Sequence, residues 1–136
     1  MAERTQSGGC LCGGVRYHTS ARLRDVVACH CGQCQKTHGN FAAYTAVETA
    51  DLMFDEDRGL AWFASSDKAA RGFCRECGAS LFWRPSFASY TAVAAGTLDQ
   101  PTGLRLVRHI FTADKPDWYE IGDGLEQVAQ SQYGNS

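Results

Sequence analysis

Seven cysteines in three tight clusters constrain this chain more than any other feature: "CLC" at 10–12, "CHCGQC" at 29–34 and "CREC" at 74–77. In an extended strand alternate side chains share a face, so Cys10 and Cys12 can present both sulfurs to one point. Cys74 and Cys77 form a C-x-x-C pair, which at a tight turn converges two thiolates on one ion. Glycine follows or interrupts each cluster at Gly13, Gly32 and Gly78. A positive φ there lets the backbone curl and turn amide N–H groups toward sulfur.

An odd cysteine count at such spacing disfavours a disulfide framework and favours metal. The simplest partition is four plus three. Cys10, Cys12, Cys74 and Cys77 complete a tetrahedral zinc site of the structural kind, joining segments more than sixty residues apart. Cys29, Cys31 and Cys34 remain as a three-thiolate set, one donor short of a tetrahedron. Paired cysteines also serve thiol redox chemistry, and His38, four positions after Cys34, has a spacing that suits a fourth ligand on a helical turn. A coordinating His38 would close the second site and make it structural.

The chain has 136 residues, 44% of them hydrophobic and 21% charged, as expected of one globular domain over 1–136 with a core at about 8–125. A formal net charge of −2 and the lack of a Lys/Arg run argue against general nucleic-acid binding. The N-terminus MAERTQSGG is polar and no apolar stretch is long enough to span a bilayer, so the expectation is a cytoplasmic protein without a membrane partner.

Short β-branched and aromatic segments between Gly, Asp and Ser punctuation predict a mostly β domain, with strands at 15–18, 26–30, 41–47, 60–64, 72–74, 80–83, 90–94 and 105–111. A helical turn is expected at 33–38 and a loose helix at 125–132, with the last dozen residues frayed. A metal staple suits so small a β domain.

The stretches "GGCLCGGVRY", "ACHCGQCQKTHG", "ARGFCRECGASLFW" and "RHIFTADKPDWYEIGDGL" resemble the glutathione-dependent formaldehyde-activating enzyme family, which includes centromere protein V. The resemblance spans about residues 8–125. It implies a β-tent of twisted antiparallel sheets, a structural zinc on Cys10, Cys12, Cys74 and Cys77, and a second zinc on Cys29, Cys31 and Cys34 with a catalytic role. The implied reaction condenses glutathione with formaldehyde to S-hydroxymethylglutathione, a carbon–sulfur lyase or synthase activity.

Three thiolates already donate three negative charges, which blunts Lewis acidity toward water and suits an added thiolate. The nucleophile would be a thiol such as glutathione, the electrophile formaldehyde or a related small aldehyde, and one proton must reach the resulting alkoxide. His30 and His38 are the candidate shuttles, although the middle of C-x-C faces away from a metal and suits His30 to packing. His109 suits a core or surface place, and His18 has no distinguishing context. Arg71, Arg75, Lys36 and Gln33 flank the clusters and fit solvated surface positions as well as carboxylate anchors. Phe41, Trp62, Phe73, Phe82, Trp83 and Trp118 fit core packing better than a cleft lining. Two other classes stand beside the enzyme: a zinc module that binds protein or nucleic acid, and a thiol redox or metal-handling protein.

Overall fold

The computed structural model describes residues 5–131. Their strands are β1 (Gln6–Gly9), β2 (Arg16–Thr19), β3 (Val26–Cys29), β4 (Ala42–Glu48), β5 (Met53–Glu56) and β6 (Leu60–Ser66), followed by β7 (Ala69–Cys74), β8 (Ser80–Pro85), β9 (Tyr90–Ala94), β10 (Leu106–Ile110) and β11 (Glu126–Gln127). One helix, α1 (Gly32–His38), and three short 3₁₀ turns complete the set. The protein is mostly β, as the punctuated β-branched segments predict. No described helix is long and apolar enough to cross a membrane.

The described residues form two compact units, each built from two chain segments. The first comprises residues 5–24 and 45–103. It holds the sheet β1-β2-β5 and the antiparallel run β9-β8-β7-β6. Its core gathers around Phe82, 1% exposed, whose ring meets Tyr17 at 5.4 Å, Phe54 at 5.6 Å and Trp62 at 6.0 Å between centroids. These edge-on and offset contacts suit aromatic quadrupoles and add to the area they bury. Arg84 lies 4.5 Å over the Trp62 ring, so the indole is held between a cation and the core. Core packing therefore describes Phe82 well, whereas Trp118 is 66% exposed. Arg71, expected at the surface, is buried at 7% exposure.

The second unit comprises residues 25–44 and 104–131. Here β3 lies between β10 and the start of β4, and β11 pairs the far edge of β10. The β3 sequence VVAC is apolar throughout because a strand flanked on both edges and covered on both faces has no solvent side. The β3–β4 pair is antiparallel, but β10 pairs both β3 and β11 in parallel. The other strand pairs described are antiparallel, as the resemblance implies, and β10 adds the parallel ones. Parallel neighbours need long connections, and residues 30–105 and 111–125 supply them.

The predicted helix at 125–132 needs correction. Residues 126–127 are strand, and Val128 N donates to His109 O at 2.8 Å. The open edge of β10 offers backbone partners that outweigh a weak helical propensity. Hydrogen bonds from Phe111 N to Gln130 O and from Thr112 N to Val128 O tie down much of the stretch expected to fray, while Gln132 and beyond lie outside the described residues. Strands β1, β5 and β11 escape the sequence pattern; QSGG and MFDE lack the β-branched signal.

Tyr17 provides a test of the first unit. It is 1% exposed, and its hydroxyl lies 2.6 Å from Thr97 Oγ1, which itself donates to Ala94 O at 2.7 Å. Tyr17 is therefore the donor in its own bond. Tyr17→Phe should lower stability by about 1 kcal/mol, read as a lower urea midpoint at unchanged slope; an unchanged midpoint would show that the bond contributes nothing.

Candidate metal centres

The folds of two loops bring the first cysteine set together. Cys10 follows β1, Cys12 lies in the turn before β2, and Cys74 and Cys77 bracket the turn between β7 and β8. Gly13 and Gly78 take φ of 84° and 80°, as those two turns require, whereas Gly32 instead opens α1. The four sulfurs lie within 4.8 Å of one another. Cys10 Sγ to Cys12 Sγ and Cys12 Sγ to Cys74 Sγ are both 3.7 Å. Disulfide sulfurs would be about 2.05 Å apart. A tetrahedron with Zn–S bonds of about 2.3 Å has edges of about 3.8 Å, so the donor spacing fits that ion.

Amide groups complete the fit. Val15 N donates to Cys10 Sγ at 3.2 Å and Gly14 N to Cys12 Sγ at 3.4 Å. Backbone hydrogen bonds from Ala79 and Cys12 bring the Cys77 thiol down to about 6. At Cys10, burial opposes ionisation, but bonds from Val15, Cys74 and Cys12 outweigh it and hold the thiol below its ordinary value. Cys12 has a favourable bond from Gly14, yet burial and its neighbours Cys74, Cys10 and Cys77 push it up to about 12. Four thiols this close cannot all ionise without a cation, and a bound divalent ion removes that conflict.

The second set lies in the other unit. Cys29 ends β3, Cys31 caps α1, and Cys34 is buried in the first turn of the helix. Cys31 Sγ accepts the Cys34 amide at 3.3 Å, taking the place of the usual oxygen cap. Gly39, with φ 88°, closes the helix through its N–H to Gln35 O. The three sulfurs gather within 4.8 Å. The Cys31 and Cys34 sulfurs and then burial raise the Cys29 thiol well above its ordinary value, so this trio too gains from a cation.

His38 does not belong to the gathered trio. Its Nε2 is 2.8 Å from the Tyr44 hydroxyl, with the rings edge to face at 5.4 Å. Among the described residues no His, Asp or Glu joins the three sulfurs. The helical spacing from Cys34 gives His38 the right separation in sequence, but the tyrosine engages its ring.

A chain of three side chains adjoins this set in sequence. His30 is fully buried, and its Nε2 lies 2.8 Å from His109 Nδ1. His109 is also fully buried, and its Nε2 lies 2.7 Å from Asp123 Oδ2. Tyr119 stacks on the His30 ring at 5.9 Å, and Phe41 tilts against it at 5.2 Å. Gln35 Nε2 donates both to His30 O at 2.9 Å and to Asp114 O at 2.7 Å, fixing the backbone between Cys29 and Cys31. Burial, then His109 and Lys115, depress the His30 pKa, opposed only by Asp123. The Leu125 amide and then His109 hold the Asp123 carboxyl below its ordinary value.

From the sequence His30 suits packing or a proton shuttle beside the cluster, but nothing there signals its bond to His109 or the parts of Asp123 and Gln35. Asp123 and Tyr119 sit in "DWYEIGDG", a stretch with a turn signature but no spacing rule that links it to residue 30. The other singled-out groups lie apart. His18 pairs Asp55 at 2.9 Å, and Arg75 Nη2 donates to Arg58 O at 2.7 Å.

The family model for the glutathione-dependent formaldehyde-activating enzyme matches residues 5–114. The chain belongs to that family. It is 29% identical over 123 residues to an uncharacterized lyase of Schizosaccharomyces pombe, covering 85% of each chain. A crystal structure of a Rhodobacter sphaeroides protein shares the fold at a TM-score of 0.60 and 21% identity, covering 71% of this chain and 91% of the other. Family membership supports a lyase-type function for a chain whose two cysteine sets can hold metal ions.

Two outcomes follow from the geometry. His38→Ala should leave the metal content of the purified protein unchanged, because the residue is no donor; loss of one equivalent by elemental analysis would make it one. A Cβ on Gly59 would sit 2.6 Å from Cys74 Sγ, closer than atoms tolerate. Gly59→Ala should therefore weaken the four-sulfur set and lower the yield of folded protein; a variant that folds with both metal equivalents would show that the clash relaxes.

Proposed function

We propose that this protein is a zinc-dependent carbon–sulfur lyase or synthase that adds a thiol such as glutathione to formaldehyde or a related small aldehyde. The observation that carries the reading is the three-sulfur set, which gathers Cys29, Cys31 and Cys34 and no fourth protein donor among the described residues. The four-sulfur set would hold a structural zinc through Cys10, Cys12, Cys74 and Cys77, and the trio a second zinc with one position left for substrate.

When bound at the trio, the ion would lower the pKa of an added thiol so that it is a thiolate at neutral pH. The overall reaction forms one C–S bond. The thiolate sulfur attacks the carbonyl carbon, the π pair moves to oxygen, and that oxygen takes a proton equal to the one the thiol released. No oxidant or reductant is consumed. The chain's own residues position and shelter this chemistry. Gln35 fixes the loop that carries Cys31, and the Cys31–Cys34 cap holds two sulfurs on one helical turn. Nothing in the reaction needs an export route or a membrane, in keeping with a cytoplasmic place.

The division of labour is testable by metal analysis and turnover. Cys34→Ser and Cys31→Ser should give folded protein with one zinc equivalent fewer and no formaldehyde-dependent consumption of glutathione. Cys10→Ser or Cys77→Ser should abolish folding, since loss of a structural zinc removes folding free energy outright. Equal loss of stability in all four variants would contradict the division. A trio that oxidises to a disulfide on purification would favour redox chemistry instead, and zinc without turnover would favour a binding module.

A further inference from the structure

One recess, lined by no cysteine, gathers charge beside apolar walls. Residues 20–25 run without regular structure into β3 and are clipped along β4: Arg24 N donates to Ala46 O at 3.3 Å, and Thr45 Oγ1 donates to Arg24 O. Between this segment, the end of β4 and the start of β9 lies a cavity of about 300 Å³. Every residue that lines it belongs to the first unit. Leu23, Ala46 and Val47 give it apolar walls, and Tyr90 lines it with the Trp83 ring 6.2 Å away as an aromatic backing.

Arg22 and Arg24 both line the cavity, and Glu48 is the single acid among its lining residues. Ser89 Oγ donates to Glu48 Oε2 at 2.7 Å, and Thr49 N donates to Ser89 O at 2.8 Å, so that carboxylate is tethered. Arg22 is exposed, and its guanidinium has no hydrogen bond or ion pair with the described residues. Two guanidinium groups against one carboxylate leave one positive charge in excess. The whole chain carries −2, so this cationic recess is no by-product of a basic surface. Beside apolar walls a cation is less well screened by water, and an anion that arrives there gains more from it than it would on open surface.

We infer that the cavity is a binding site for a small monocarboxylate with a short apolar body. The planar fork of arginine matches a carboxylate with two parallel hydrogen bonds, and one excess positive charge calls for one negative charge. A dianion such as inorganic phosphate would set its second charge against Glu48, a repulsive pairing. The volume is at the low end for ligand pockets, which keeps the body short, and Leu23, Ala46 and Val47 offer it apolar cover. The site is independent of the proposed thiol addition, since none of its residues belongs to either cysteine set.

Butyrate titrated into ¹⁵N-labelled, metal-loaded protein tests the assignment, with butyramide and inorganic phosphate as controls. Butyrate should shift the Ala46 and Val47 amides and the Arg22 Nε–H with a dissociation constant on the order of 1 mM. Butyramide keeps the shape but lacks the charge, and should bind about tenfold more weakly. Arg22→Gln, a change at an exposed side chain, should keep the fold and bring butyrate and butyramide within about twofold of each other. Ala46→Phe, which fills the cavity and leaves both arginines in place, should abolish the shift at Val47. Equal binding of butyramide, phosphate that binds as tightly as butyrate, or unchanged butyrate binding by Arg22→Gln would each overturn the assignment. Butyrate binding that survives Ala46→Phe would put an adventitious ion only on the open surface and overturn the cavity as its site. Absence of any butyrate shift in the wild-type protein would overturn it too.

Discussion

The structure depends on sulfur crowding. Thiolates this close repel, and Cys10–Cys12 and Cys12–Cys74 are both 3.7 Å apart. Amides from Val15 and Gly14 relieve part of the repulsion, and the rest calls for a dication. With such an ion, two chain segments 62 residues apart are clamped at one point. Backbone hydrogen bonds from Cys10 N to Val15 O at 3.0 Å and from Cys74 N to Ala79 O at 2.9 Å also tie the loops that carry those cysteines, while Cys12 and Leu11 are exposed.

The same chemistry has two different endings in the two units. Around Cys10, Cys12, Cys74 and Cys77 four sulfurs gather, enough to complete a tetrahedron around an ion bound there. Around Cys29, Cys31 and Cys34 the set stops at three, and the nearby imidazoles are already committed: His38 to Tyr44, and His30 to His109. Among the described residues the second set thus gathers three sulfurs and no histidine.

Much of this was legible in the sequence because local rules govern it. C-x-C and C-x-x-C spacings depend on the strand period and on turn geometry, so the four-plus-three division of the cysteines matches the two groups that the fold brings together. The strand at 90–94 and the helical turn near 33–38 also follow from local pattern. What stayed hidden is what distant segments decide. The parallel pairing of β10 with β3 leaves no trace in either strand, yet it sets His109 opposite Ala28 and so brings its ring to His30. Residues 126–127 became a strand because an edge was free beside them, and no propensity encodes that. Asp123 lies in a glycine-rich turn and reads as an ordinary solvated acid until His109 is placed against it.

The central claim is that one metal centre is complete in sulfur and the other is finished by a substrate thiol. Zinc-edge X-ray absorption on the two-zinc protein, before and after glutathione, tests it most directly. The account predicts a mean sulfur coordination between three and four for the protein alone, rising to four for both ions once glutathione is added. An average of four at the start, or one that glutathione does not change, would contradict it.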